Sequence, residues 1–132
     1  MKMNNQEWIA FFSTCNKVLG KGESKSHLSQ SWCSWTTFAR LNEDAGYWTS
    51  GLPNSNELQE EYLKDSGTWG QPFSYNEIAH IIVPRKFFWE DFSKKSYNSG
   101  IKEQDIDALS TELNKINIKH ILGKYALEIK LY

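Results

Sequence analysis

Phe73-Ser74-Tyr75-Asn76-Glu77-Ile78-Ala79-His80-Ile81-Ile82-Val83, bounded by Pro72 and Pro84, decides how the rest of the chain is read. Its last six residues are mostly apolar and β-branched, and so short a run between prolines suits a buried strand better than a helix. The other periodic segments then become material packed against this strand.

Upstream, Thr68-Trp69-Gly70-Gln71-Pro72 leads into the strand, and Ser66-Gly67 stops the element before it. That element reads as a helix over about 56–65. Asn54 and Glu57 stand three apart as in a capping box, with Leu58, Tyr62 and Leu63 inward and Glu57, Glu60, Glu61 and Lys64 outward. Ser31 to Leu41 reads as a strand, with Cys33, Trp35, Thr37 and Ala39 on one face and Trp32, Ser34, Thr36 and Phe38 on the other. Asn42 to Trp48 is a turn with an aromatic tip. The helical spacing of Trp8, Ile9, Phe12, Cys15, Val18 and Leu19 predicts a helix over about 6–19, started by Asn4 or Asn5 and ended by Gly20. The polar loop Gly20 to Ser26 lacks the G-x-x-x-x-G-K-[ST] order of a phosphate-binding loop and follows a helix where that motif needs a strand.

Downstream, Arg85 to Phe92 reads as a short helix in preference to an extended piece, and Lys94 to Gly100 as a loop. Ile106, Leu109, Leu113 and Ile116 mark a helix over about 102–116. The clean alternation of Ala126-Leu127-Glu128-Ile129-Lys130-Leu131-Tyr132 marks a final strand after a turn at Gly123. The expected fold is a single α+β domain over residues 1–132. It has a small, mostly antiparallel sheet of three to four strands packed with about three helices.

A chain of 132 residues supports one real core. The net charge of −1 lacks the broad basic surface that nonspecific nucleic-acid or anionic-membrane binding requires. That mean hides a segregation: residues 41–66 hold Glu43, Asp44, Glu57, Glu60, Glu61 and Asp65 against Lys64 alone, a net −5. Cys15 and Cys33 match no metal or redox spacing and read as free buried thiols. The apolar run from Trp8 to Phe12 is too short for a secretory or transmembrane segment, so a cytoplasmic protein is expected.

Candidate chemistry is sparse. Glu77 and His80 would share a helix face as a metal pair, but on a strand they point apart. Glu128-Ile129-Lys130 matches the Glu-x-Lys end of a restriction-endonuclease-like site, which also needs an aspartate on a neighbouring strand, whereas Asp105, Asp107 and Glu112 fall on a predicted helix. His27 and His120 have no acid at a diagnostic interval. No catalytic residue, metal ligand or cofactor is assigned. Six tryptophans exceed what a small core easily hides, and Trp48 and Trp69 follow turn glycines, so at least one of the two is expected to be a partner contact, the alternative being that they plug the ends of the core.

A single domain of this length, without an export signal or catalytic motif, rich in aromatics and acidic around Glu57-Glu60-Glu61, resembles the small immunity proteins of contact-dependent inhibition and other polymorphic toxin systems of bacteria. The resemblance is one of type. It implies a protein-binding inhibitor that neutralises a cognate toxin domain, often a nuclease, by covering its active site. The expected partner is a basic protein met by Glu43, Asp44, Glu57, Glu60, Glu61, Trp48 and Trp69, with no nucleic acid or membrane, and the free protein is expected to be a monomer. A small-ligand or carbohydrate-binding module using surface tryptophans, or an enzyme with a dispersed site, are the alternatives.

Overall fold

A computed structural model describes residues 2–132; Met1 lies outside the described residues. The first helix, α1 (Asn5–Leu19), starts where the side chain of Asn4 accepts from Glu7 N and that of Glu7 accepts from Asn4 N, a reciprocal cap. It ends at Gly20, whose φ of 97° only glycine adopts freely. Strand β1 (Cys33–Thr37) passes directly into a short helix, α2 (Phe38–Asn42), because the Thr37 hydroxyl caps it by accepting from Arg40 N at 3.3 Å. Strand β2 (Trp48–Ser50) returns along β1.

The stretch from Phe73 is not one strand. It divides into β4 (Phe73–Ser74), a tight 3-10 turn at Tyr75–Glu77, and β5 (Ile78–Pro84). The Glu77 carboxylate accepts from Ser74 N, and the turn sinks Tyr75 into the core, where its hydroxyl donates to Gln59 O at 2.7 Å. β5 then lies at the centre of a five-stranded antiparallel sheet in the order β2, β1, β5, β9 (Ala126–Lys130), β8 (Ile121–Leu122). The sheet is thus larger than the three to four strands expected.

Three other expectations are corrected. The helix over 56–65 is absent: after one 3-10 turn at Ser55–Glu57 the chain extends, and β3 (Tyr62–Leu63) pairs with β4. The capping box is real, since Glu57 accepts from Asn54 N at 2.8 Å. The same carboxylate, however, also takes the Thr68 N–H and, at 2.6 Å, the Thr68 hydroxyl, which fastens it to a distant segment. The expected helix at 85–92 is instead β6 (Lys86–Asp91), paired with β7 (Asn98–Glu103) as a separate ribbon that uses part of the expected 94–100 loop. The last helix, α3 (Ile106–Lys115), starts later than predicted because Lys102 and Glu103 belong to β7 and Asp105 is its cap.

One face of the main sheet, with Trp35, Ile81, Val83, Leu127 and Ile129, joins Trp8, Phe11, Phe12 and Cys15 of α1 and Ile106, Leu109 and Leu113 of α3 in the core. Trp69 is in that core, 8% exposed, stacked on Trp35 at 3.7 Å with its indole N–H donating to Gly51 O at 3.0 Å. No tryptophan is exposed; the exposed aromatics are tyrosines and phenylalanines. The loop at 20–30 seats main chain against main chain: Gly22 lies so close to Leu52 O, and Gly51 to Glu23 N, that neither site has room for a Cβ.

Candidate binding face on the open side of the sheet

Strand register sorts the side chains. His80 stands opposite Thr36 and Lys130, and Ile82 opposite Ser34 and Glu128, so these six share the face turned away from α1 and α3. A sheet with one face on the core normally leaves the other to solvent. Here Thr36 is fully buried, and His80 is only 6% exposed because Tyr47 and Tyr132 lie edge-on against its ring.

Three rings and one carboxylate form a hydrogen-bonded chain. His80 Nε2 is 2.7 Å from Glu128 Oε1, its Nδ1 is 2.6 Å from the Tyr47 hydroxyl, and that hydroxyl is 3.1 Å from the Tyr132 hydroxyl. An ionised carboxylate only accepts, so Nε2 carries the proton; in the neutral ring Nδ1 then accepts from Tyr47 O–H, and the Tyr47 oxygen accepts from Tyr132. Burial, the Tyr132 hydrogen bond and the nearby negative groups push the Tyr47 hydroxyl up to about 12, which keeps it a donor at neutral pH. Both nitrogens of His80 are engaged within the protein, so the arrangement orients rings rather than offering a free base. The Thr36 hydroxyl beside it has no partner among the described residues. Lys130 Nζ sits 4.8 Å from the centre of the Tyr132 ring.

The turn before β2 borders this face. Arg40 stacks 3.8 Å over Trp48 and donates from Nε to Gly46 O at 2.9 Å, which fastens the turn and leaves Glu43 and Asp44 exposed, Asp44 in the left-handed region with φ 54°. The expected acidic patch is therefore divided. Glu43 and Asp44 lie at this end of the sheet, whereas half-buried Trp48, opposite Trp35 in the register, turns to the core face and packs against Trp35 and Phe73. Glu60 and Glu61 line a depression with Asn4, Asn5 and Gln6 at the start of α1. Glu57 is 7% exposed and committed to Asn54 and Thr68, not to solvent. Trp69 is core, not contact surface.

The other histidines are pinned elsewhere: His27 lies 3.6 Å from Asp91, and His120 meets the Ser110 hydroxyl at 2.7 Å and Ile118 O at 2.8 Å. Glu128 and Lys130 share a face as their spacing requires, but the neighbouring strands β5 and β8 carry no acid. A cleft of about 550 Å³ with a mixed lining opens between Lys2, Met3, Trp8, Phe38, Tyr75, Asn76, Ile78 and Leu131, and the buried Trp8 indole N–H has no acceptor among the described residues. Sequence reasoning named His80 and Glu128 separately and missed Tyr47 with Tyr132 as their partners; the shared parity of His80, Glu128 and Lys130 on strands was the signal available. No family model, curated protein or solved structure matches the chain.

Proposed function

We propose that the chain is a protein-binding inhibitor of the immunity type, which neutralises a cognate toxin domain by direct contact through the open face of the sheet. The observation that carries this reading is the Tyr132–Tyr47–His80–Glu128 chain on a face that neither long helix covers. A buried polar network stabilises only when its members are satisfied, and this one holds two partly exposed tyrosines in fixed orientations. Tyrosine is favoured at binding hot spots because it buries a large amphipathic ring at small entropic cost, and a ring already fixed loses less freedom on binding. Glu43, Asp44 and Glu128 outnumber Arg40 and Lys130 on and beside this face, a slight negative excess that suits the basic groove of a nuclease toxin.

The test is co-production with the protein fragment encoded by the adjacent gene. That fragment is expected to arrest growth alone and to be neutralised by this chain; failure of neutralisation overturns the class. Tyr132→Ala is expected to weaken the complex by about 2 kcal/mol, the hot-spot scale. Unchanged affinity for that variant would remove the open face from the interface. The cleft beside Trp8 favours a second reading, a small amphipathic ligand bearing one acceptor, since its volume falls in the range of ligand sites. Binding of such a ligand with protection of Trp8 fluorescence would select it.

A further inference from the structure

The β6–β7 ribbon leaves one long edge open. Glu90 N–H donates to Ser26 Oγ at 3.0 Å and so points away from β7, while Gln104 N–H donates to Arg85 O at 2.7 Å within the ribbon. Alternate residues of an antiparallel pair share an orientation, so Lys86, Phe88 and Glu90 direct their main-chain groups outward, as do their partners Glu103, Ile101 and Ser99. Ser26 meets the β6 edge at Glu90. By the same alternation the main-chain N–H and C=O groups of Ser99, Ile101 and Glu103 face away from β6, and none bonds to a segment outside the ribbon among the described residues. The edges of the main sheet, β2 and β8, are three and two residues long, too short to template another strand, whereas β7 has six.

The outward face of the same ribbon has an apolar centre and tip, flanked by the exposed Lys86–Glu103 pair and by Glu90 and Ser99. Phe88 is 53% exposed and Ile101, directly opposite, is 66% exposed; Phe92 and Tyr97 follow at the tip, 4.9 Å apart. The inward face is anchored: Trp32 stacks on Phe87 at 5.5 Å, and Lys102 Nζ donates to Ser26 O, His27 O and Ser29 O. The ribbon is therefore fastened to the 26–32 segment through Phe87 and Lys102.

We propose that β7 pairs antiparallel with β7 of a second copy of this chain, about a two-fold axis at Ile101, to form a four-stranded sheet across a dimer. Self-pairing follows from the register. With Ile101 opposite Ile101 of the second copy, Ser99 falls opposite Glu103 of the second copy and Glu103 opposite Ser99, so every open rung closes at once. Phe88, Ile101 and their equivalents then form one apolar row of four across the sheet, in which the two Ile101 side chains shield each other's flanks. Lys102 falls opposite Gly100 of the second copy, and no like charges stand directly opposed. The interface is small, of the transient class, and it departs from the monomer that the sequence led us to expect.

Sedimentation velocity of the intact chain, run from micromolar to near-millimolar concentration, tests this. A reversible monomer–dimer equilibrium is expected. Ile101→Lys places two ammonium groups on the axis and is expected to weaken the dimer at least roughly tenfold, with the thermal transition unchanged because the side chain is exposed. Ser99→Lys, which faces Glu103 of the second copy, is expected to tighten the dimer severalfold, and Ser99→Glu to loosen it; since position 99 also stands opposite Glu90 of its own chain, the thermal transition is measured beside the association constant, and a role confined to folding of the ribbon would reverse sign in the transition alone. A monomer over the whole range, or a dimer indifferent to Ile101→Lys and to both Ser99 variants, overturns the proposal.

Discussion

Replacing Trp69 with alanine is expected to destabilise the domain by about 4 kcal/mol, near the middle of the range for emptying an aromatic site in a core. The structure supplies the reasons. The indole stacks nearly parallel on Trp35, 3.7 Å apart at 9°, and meets Phe12 and Phe73 edge-on, each at 5.6 Å. Its N–H is the good donor to Gly51 O, since the Cys33 thiol reaches that carbonyl only at 3.9 Å. An orphaned buried acceptor costs about 1–3 kcal/mol, though water entering beside an 8% exposed ring relieves part of that. A domain of this length has a stability of roughly 7–20 kcal/mol, so the variant still folds and can be measured. Urea unfolding followed by far-UV circular dichroism should show the midpoint falling by roughly 2 M for a slope near 2 kcal/mol per molar. Trp69→Phe, which keeps a ring in the stack and loses the donor, should fall between the two. A loss below about 1 kcal/mol for Trp69→Ala would refute the placement and return Trp69 to the surface.

Glu57→Ala should cost about 3 kcal/mol in the same assay, since it strands the Asn54 and Thr68 donors in a half-buried site; an effect within 0.5 kcal/mol, typical of a surface change, would mean the carboxylate faces solvent after all. Hydrogen bonds from Ser93 hold Asp91 below the usual carboxylate range, and the Arg85 guanidinium does the same for Asp107. Both folded values are depressed, so their stabilisation is complete above the unfolded value of about 3.9 and is lost as pH falls through the folded values. Asp91→Asn should flatten the acid limb of a stability–pH curve, and an unchanged limb would contradict this. Burial raises both thiols, so Cys15 and Cys33 should resist maleimide until the protein unfolds; rapid native labelling of either would break that expectation.

Where a local pattern alone decided the outcome, the sequence was readable. The three- and four-residue spacing of Trp8, Phe12 and Cys15 became α1, and the alternation of Leu127 and Ile129 with Glu128 and Lys130 became β9. Segment 55–65 was misread because a capping box looks the same before one turn as before three, and what stopped the helix was Thr68, eleven residues beyond Glu57. Lys86 to Asp91 hid a period of two, because Asp91 points inward toward His27 where an apolar residue would have completed the pattern. The same limit applies to the binding face. His80 reaches Tyr47 and Glu128 at sequence separations of 33 and 48, and only the pairing of β5 with β1 and β9 brings them together. The tryptophans were numerous enough to suggest a contact surface, yet the stacked cluster of Trp35, Trp48 and Trp69 consumed that excess internally and left tyrosine outside.

The main-chain seat between Gly22 and Leu52 governs how sequences with this fold can drift. A methyl group at position 22 collides with a carbonyl oxygen rather than with a side chain that could swing aside, and the same holds at position 51 against Glu23 N. The two glycines therefore cannot be exchanged one at a time through a tolerated intermediate. Homologous chains should retain both, or replace the 20–30 loop and the 51–54 segment together as a matched pair, which makes their joint presence a better marker for finding distant relatives than either position alone.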